Sequence, residues 1–227
     1  MILYGIPTPL GGSPAEALPA PALRTVQTLR DFAVENAKSA RAFLAAAGLA
    51  VRELRIETLA GDPAALLAPL RAGRAMGLLS EAGCPAIADP GAALVAAAHR
   101  EGFRVVPLVG PSAIVLALMA SGLEGQRFAF CGYLPREAGE RARRIRELEA
   151  RSRRARETQI FVETPYRSDT LLAALAEHCS ATTLVCVAAD LTLPGERIAT
   201  RAAAEWRRAR DPIGRRPAMF LLLAQSA

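Results

Sequence analysis

The sequence predicts an α/β fold, and three observations support this prediction. Short apolar runs alternate along the chain with longer stretches in which apolar residues recur at helical spacing. Several of the runs stop at Pro, Gly or Ser, as strands do where they meet a loop. The chain has 227 residues, 52% of them hydrophobic, which is enough for one or two domains with buried cores.

The apolar runs predict buried strands, beginning with the run that ends before Pro7. In chain order, the predicted strands cover residues 2–6, 75–79, 105–108, 128–130, 160–162, 184–188 and 219–224.

The stretches between these runs predict helices. They cover residues 37–47, 63–71, 91–101, 111–121, 137–154 and 166–179. Residues 11–21 are rich in Gly, Ser and Pro and therefore predict a loop. The alternation of predicted strands and helices is interrupted at residues 132–135, so we place a domain boundary there. An N-terminal α/β domain then covers residues 1–132 and a C-terminal α/β domain covers residues 133–227.

Positive charge is concentrated in one predicted helix. The chain carries a net charge of +6, and residues 136–156 contain nine Arg against four Glu. Two explanations stay open at this point. The helix is either a solvated one with ion pairs such as Glu140 with Arg144 and Glu147 with Arg151, or a face that binds the phosphates of nucleic acid.

Other classes of protein are disfavoured. No apolar stretch reaches the roughly 18 to 20 residues that cross a bilayer, and the first residues lack a basic segment or cleavage signature. We therefore expect a soluble, cytoplasmic protein. The four cysteines are too far apart for a CxxC pair, so we expect them to be reduced and expect no metal.

Three strand-to-helix junctions are candidates for a ligand site, because ligands of α/β sheets bind where strands end. The first, residues 6–12, has two prolines and lacks the GxGxxG spacing of a dinucleotide loop. The second, residues 80–91, is longer than a strand-to-helix connection requires, which favours a binding loop. Its Asp89 is also a natural N-cap. In the third, residues 109–113, Ser112 falls in the first turn of a helix, where free N–H groups are available.

Five segments together resemble the tetrapyrrole (corrin/porphyrin) methylase superfamily, and within it the branch of 16S rRNA (cytidine 2′-O)-methyltransferases. They are IPTPLG at 6–11, SEAGCP at 80–85 with DPG at 89–91, VGPSA at 109–113, FCGYLP at 130–135 and ETPYR at 163–167. This resemblance covers almost the whole chain. It implies two α/β domains, a homodimer, and S-adenosylmethionine bound in the cleft between the domains.

The resemblance also implies which residues serve the reaction. The implied cofactor-binding positions are Pro9, Ser80, Glu81, Ala82, Gly83, Cys84, Ile87, Ser112, Ala113, Glu163 and Asp190. Glu35, Glu81 and Glu163 are candidates for a general base, a role that stays unassigned. Arg167 is the first candidate for a substrate phosphate or carboxylate, because its planar fork makes bidentate contacts. Arg143 and Arg144 are further candidates for an RNA substrate.

Two segments depart from the family pattern on the presumed substrate side. Residues 34–38 read Val-Glu-Asn-Ala-Lys, where the family has Ala-Glu-Asp-Thr-Arg, and two basic side chains of the family are replaced by Ala189 and Leu193. The leading hypothesis is a methyltransferase that acts on rRNA, with the small ribosomal subunit as a possible partner. A methyltransferase of a small metabolite such as a tetrapyrrole, and a non-catalytic cofactor-binding protein, remain alternatives.

Overall fold

The computed structural model describes residues 1–209 and 211–225. The chain forms two compact units, which divide between Ser112 and Ala113. Each unit contains one five-stranded sheet with helices packed on it. The predicted α/β fold is confirmed, but the division precedes the predicted boundary at residues 132 and 133.

The first unit is a parallel sheet with helices on both faces. Its strands are β1 (Ile2–Ile6), β2 (Asp31–Val34), β3 (Arg55–Thr58), β4 (Met76–Leu79) and β5 (Arg104–Pro107), in the order β3-β2-β4-β1-β5. Its helices are α1 (Pro14–Ala17), α2 (Ala20–Thr28), α3 (Ala37–Ala46), α4 (Ala68–Arg71) and α5 (Ala92–Arg100).

The second unit is built on a mixed sheet. Its strands are β6 (Phe128–Tyr133), β7 (Thr158–Glu163), β8 (Leu184–Ala189), β9 (Arg197–Ala202) and β10 (Ala218–Leu223), in the order β6-β7-β10-β8-β9. Its helices are α6 (Ala113–Ser121), α7 (Ala138–Ala155), α8 (Ser168–His178) and α9 (Ala203–Arg208). Only β6 and β7 run parallel to each other as neighbours.

The division at Ser112 has a packing cause. Helix α6 packs on β8, β9 and β10, and Thr200 in β9 donates a hydrogen bond of 2.7 Å to the carbonyl of Ser121 at the end of α6. Strand β6 pairs with β7. Residues 113–132 therefore belong to the second unit, although the predicted boundary assigns them to the first.

The predicted loop over residues 11–21 is wrong at residues 14–17 and 20–21, which are helical, because Pro14 and Pro21 lie where a helix accepts proline. Pro14 opens α1, and Glu16 accepts hydrogen bonds from the backbone N–H and the hydroxyl of Ser13, at 3.0 and 2.8 Å. Pro21 lies in the first turn of α2. A proline in the first turn removes only an N–H that has no partner within the helix.

The described residues contain no helix both long and apolar enough to cross a bilayer. All four cysteines are free, as expected. In the same residues, no group of at least three His, Cys, Asp or Glu side chains is placed to hold a metal ion.

Candidate active site

The carboxyl edge of the first sheet carries the predicted binding loops. β1 and β4 are neighbours. After β1 the chain enters α1 and α2, and α2 packs, together with α3, on the face that contains Ile6 and Leu79. After β4 it enters α5, which packs on the face that contains Leu3 and Leu78. Because the two connections leave toward opposite faces, the carboxyl ends of β1 and β4 form the topological switch point, which is where doubly wound sheets bind ligands.

The loops that follow β1 and β4 are hydrogen-bonded to each other through Thr8. Its N–H donates to the carbonyl of Gly83 at 2.9 Å, and the N–H of Gly83 donates to its carbonyl at 3.0 Å. The Thr8 hydroxyl also donates to the carbonyl of Ser80 at 3.3 Å. Sequence reasoning named Pro9 and missed Thr8. The sequence contained a signal for Thr8. Because the prolines on either side of it have no backbone N–H, Thr8 is the one residue of the three at 7–9 that donates a backbone hydrogen bond.

The loop after β5 packs onto the other two. The thiol of Cys84 donates to the carbonyl of Pro111 at 3.4 Å, and burial raises the pKa of this thiol. Gly110 lies so close to Pro7 that an added Cβ would be 2.5 Å from the Cβ of that proline. The three predicted junctions therefore form one packed assembly, which we call the loop assembly: residues 7–12, 80–91 and 108–112.

The longest loop of the assembly has an unusual backbone. Ala86 and Ala88 have φ angles of 66° and 65°, and Gly83 and Gly91 have φ angles of 77° and 127°. Each alanine in the left-handed region costs about 1–2 kcal/mol, and such strain is concentrated in loops that hold ligands. Between the two alanines, Ile87 is 52% exposed.

Three carboxylates meet where the loops after β2 and β4 run side by side. Glu35 accepts a hydrogen bond of 3.0 Å from the N–H of Glu81, and Glu81 accepts one of 3.3 Å from the hydroxyl of Ser39. Burial raises the pKa of Asp89, and the negative charge of Glu35 raises it further. Sequence reasoning did not connect Ser39 or Asp89 with the two glutamates, because they become neighbours only in the fold.

The altered segment at residues 34–38 keeps a structural function. Asn36 caps α3, since its side-chain oxygen accepts a hydrogen bond of 2.9 Å from the N–H of Lys38. Asp and Asn cap helices about equally well. The exchange of Asp for Asn therefore removes a charge and leaves the start of the helix intact.

Ser112 and Ala113 lie at the junction of the two units. Ser112 is the last residue of the first unit and Ala113 begins α6, and both are half-buried. The first amide groups of α6 have no partner within the helix and are available to a ligand.

In the second unit, the buried Glu163 forms an ion pair with the part-buried Arg167. Glu163 ends β7 and is 4% exposed. One of its oxygens lies 2.5 Å from Nη2 of Arg167, and the other accepts 2.6 Å and 3.2 Å hydrogen bonds from the N–H and hydroxyl of Thr164. Nη1 of Arg167 is buried and has no hydrogen-bond partner among the described residues. Glu163 is therefore engaged on both oxygens, while Arg167 keeps one donor nitrogen unused.

Asp190 lies at the same edge of the second sheet. Glu163 and Ala189 are both paired with Ala218 of β10, so the residues that follow β7 and β8 are brought together. Asp190 has a φ angle of 52°, and one of its carboxylate oxygens is 3.6 Å from Nε of Arg216. Glu163 and Asp190, two of the predicted cofactor-binding residues, therefore lie at the same edge of the second sheet.

The arginine-rich helix α7 combines an apolar face with a basic one. Its buried residues are Ala142, Ile145, Leu148, Glu149 and Ser152. Glu147 pairs with Arg144 at 3.2 Å and lies 3.8 Å from Arg143, whereas Arg151 pairs with Glu157 at 2.9 Å. The predicted pairs Glu140–Arg144 and Glu147–Arg151 are therefore replaced by others.

Part of the charge on α7 has no partner. Arg146 and Arg154 are exposed, and neither is within ion-pair distance of a carboxylate in the described part of the chain. Arg143 is 74% exposed despite its nearby Glu147. The outward face of α7 thus presents arginines 143, 146 and 154 to solvent.

Comparison with known proteins finds the family that the sequence motifs resemble. The model of the tetrapyrrole (corrin/porphyrin) methylases matches residues 3–205. Ribosomal RNA small subunit methyltransferase I of Mesorhizobium japonicum is 36% identical over 200 residues, which are 87% of this chain and 66% of that protein. The protein of the same name from Xylella fastidiosa is 32% identical over 229 residues, 99% of this chain and 81% of the relative.

A solved structure has the same fold. It is the cobalamin biosynthetic enzyme cobalt precorrin-4 methyltransferase, with a TM-score of 0.62, 18% sequence identity, and coverage of 98% of this chain and 94% of that one. The alignments with the first three curated relatives cover between 57% and 66% of their length.

Proposed function

The chain belongs to the tetrapyrrole methylase family, and on this premise we propose that it transfers a methyl group from S-adenosylmethionine to ribosomal RNA, at a cytidine 2′-hydroxyl. The loop assembly is the observation that carries the proposal, because three of the five segments that resemble the family pack together at the carboxyl edge of the first sheet. The choice of rRNA is supported by the names of curated relatives that are 32% to 36% identical.

The residues of the loop assembly suit S-adenosylmethionine. Gly83, with a φ angle of 77°, lets the backbone approach a ligand without a side chain in the way. Pro9 and Ile87 offer apolar surface, and the carboxylates of Glu35 and Asp89 are acceptors for hydroxyl or ammonium groups. When bound, this cofactor supplies an electrophilic methyl group on a sulfonium.

We assign the cofactor-binding role in the first unit to Pro9, the segment Ser80 to Cys84, Ile87 and Ser112, and the same role to Ala113, the first residue of the second unit. In the second unit, Glu163 and Asp190 keep the same proposed role at their sheet edge. Thr8 and Gly110 are positioning residues, since they hold the three loops of the assembly together.

Among the three candidate bases, Glu35 and Glu81 suit the role better than Glu163. A base must accept a proton, and both oxygens of Glu163 already accept hydrogen bonds from protein donors. Glu35 and Glu81 each accept one of the loop hydrogen bonds through a single carboxylate oxygen, which leaves the second oxygen of each for a proton. Transfer to a hydroxyl also depends on alignment of the acceptor with the methyl group.

The substrate-binding role belongs to arginines. Nη1 of Arg167 is a buried donor without a hydrogen-bond partner among the described residues, and it suits a phosphate oxygen. Arg143 and Arg144 lie on α7 with the exposed Arg146 and Arg154, and such a face attracts the RNA backbone.

The alternatives have less support. The solved cobalt precorrin-4 methyltransferase shares the fold at only 18% identity, so it gives no argument for a tetrapyrrole substrate. The curated relatives above 30% identity carry the rRNA name. With rRNA as substrate, the protein would work in the cytoplasm, and we keep the homodimer as part of the proposal.

A thermal-shift assay tests the cofactor assignment. S-adenosylmethionine and its demethylated product should raise the Tm, because a ligand that binds only the native state stabilises it. NAD and ATP serve as controls. A rise with NAD or ATP, and none with millimolar S-adenosylmethionine, would overturn the assignment.

A further inference from the structure

Two exposed tyrosines lie at one edge of the second sheet. Tyr133 is the last residue of β6, where its Cα is paired with that of Val162 in β7. Tyr166 follows β7 in the 3₁₀ turn Pro165–Arg167. Tyr133 is 61% exposed and Tyr166 is 78% exposed. They are two of the three tyrosines in the chain. Two large aromatic rings are thus presented to water by adjacent parallel strands.

The position of Tyr133 depends on an irregularity in its strand. Phe130 is paired with Ile160 and Tyr133 with Val162, so three steps along β6 match two steps along β7. Gly132, inside this bulge, has a φ angle of 66°. Bulges change the direction of side chains at strand ends and are common beside functional sites. The bulge therefore sets where the Tyr133 ring lies.

One arginine lies over a tyrosine ring and another follows the strand of the second tyrosine. The guanidinium carbon of Arg215 is 5.4 Å from the centre of the Tyr166 ring. Arg215 precedes β10, whose first residue Ala218 is paired with Glu163 at the end of β7. Arg136 follows β6 and is exposed. Within residues 1–209 and 211–225, neither Arg136 nor Arg215 is within ion-pair distance of a carboxylate.

We propose that Tyr133 and Tyr166 form a stacking platform for unpaired bases of the RNA substrate, with Arg136 and Arg215 bound to its phosphates. Sequence-specific recognition of RNA uses splayed bases that stack on aromatic rings, next to basic side chains that follow the backbone. At the same edge lies Nη1 of Arg167, which has no hydrogen-bond partner in the described part of the chain. The inference rests on the proposed function, which names RNA as the substrate.

The test compares alanine and phenylalanine variants of the full chain. Fluorescence anisotropy with a single-stranded RNA, and the KM for methylation of small ribosomal subunits, are measured for Tyr133→Ala and Tyr166→Ala. Loss of one stacked base should weaken binding about 5- to 150-fold. Tyr133→Phe and Tyr166→Phe keep a ring and should stay within about twofold of the wild type.

Phe128→Ala is the matched control, because Phe128 is a 44% exposed aromatic residue at the opposite end of β6. It should bind RNA as the wild type does. The rise in Tm with S-adenosylmethionine should be equal in all five variants, which separates a role in RNA binding from one in cofactor binding.

Several results would overturn the platform. Alanine variants with unchanged RNA affinity and KM would exclude it even if the wild type methylates rRNA. If the alanine variants also lost the rise in Tm with S-adenosylmethionine, the tyrosines would be assigned to cofactor binding. If these variants formed a smaller assembly than the wild type in size-exclusion chromatography, the tyrosines would be assigned to a contact between copies of the chain. A wild type that binds single-stranded RNA through these rings but transfers no methyl group to rRNA would contradict the proposed function alone.

Discussion

Thr8 and Gly83 exchange both of their backbone hydrogen bonds, at 2.9 and 3.0 Å, although they are far apart in the sequence. This bridge joins the loop after β1 to the loop after β4. The φ angle of Gly83, 77°, is one that L side chains rarely adopt. The geometry of the proposed cofactor loops therefore depends on a glycine at position 83.

Gly83→Val should abolish the rise in Tm caused by S-adenosylmethionine. The substitution strains the backbone by about 1–2 kcal/mol and adds a side chain where Leu10 already lies 3.4 Å from an added Cβ. Thermal denaturation with and without the cofactor gives the result.

Gly73→Val is the control for this experiment. Gly73 has a φ angle of 81°, so the backbone strain is similar, but nothing lies within 4 Å of an added Cβ. This variant should lose stability and retain the cofactor shift. If Gly83→Val retained the shift as well, the cofactor would bind elsewhere.

Glu163→Gln should affect stability more than the chemical step. Without the carboxylate charge, the part-buried Arg167 loses its partner, and the free energy of unfolding should fall by about 1–3 kcal/mol. The measurement is urea unfolding at pH 7, together with kcat. Glu147→Gln is the control, because its pairs with Arg143 and Arg144 are exposed and are worth about 0–1 kcal/mol. Unchanged stability with kcat lost over the whole pH range would instead identify Glu163 as the base.

Because Asp31 is paired with Arg55 and Arg74, protonation of its carboxylate should make the first unit less stable in acid than at neutral pH. Hydrogen bonds from Arg55, supported by Arg74, hold the pKa of Asp31 below its ordinary value despite its burial. The stabilisation is therefore complete above the unfolded pKa of about 3.9 and is lost as the pH falls through the lower folded pKa. Asp31→Asn should cost about 1–3 kcal/mol at pH 7.

The difference in unfolding free energy between the wild type and Asp31→Asn should shrink below about pH 4. Urea unfolding at several pH values measures it. Glu57→Gln, on the exposed strand β3, is the control and should change little. A difference that stayed constant down to pH 2 would show that the Asp31 charge contributes nothing.

Replacing the three outward arginines of α7, Arg143, Arg146 and Arg154, by Gln should weaken RNA binding at low salt. Fewer counterions are released, so the slope of log affinity against log salt should fall by about two to three. Cofactor binding should be unchanged. The control replaces three exposed arginines of the first unit, Arg24, Arg52 and Arg100. An equal effect of both triple variants would mean that α7 has no special role.

The sequence predicts the strands with continuous apolar runs and misses those without them. β2 begins with the charged Asp31, and polar residues interrupt the edge strands β3 and β9, so none of the three forms a continuous apolar run. These strands depend on pairing with neighbours that are distant in the sequence, and local patterns do not register such pairing. The starts of α1 and α2, which contain Pro14 and Pro21, were missed for a local reason, since proline occurs in the first turn of helices as well as in loops.

The candidate site was predictable to the extent that it is carried by motifs. The loops at residues 80–91 and 109–113 were found because their length and their glycines and prolines are visible in the sequence. Contacts such as Thr8 with Gly83, or Glu163 with Arg167, required the fold. The first joins the loops that follow two different strands, and the second depends on burial, which composition alone does not reveal.

Methyl transfer to rRNA tests the central claim most directly. Small ribosomal subunits are prepared from a strain that lacks this protein and from its parent, and incubated with the purified protein and methyl-labelled S-adenosylmethionine. We predict that the label enters the 16S rRNA of the deficient strain, at a cytidine 2′-oxygen, and not that of the parent, whose site is already methylated. Absence of label in both rRNAs, in the presence of a protein that binds the cofactor, would contradict the account.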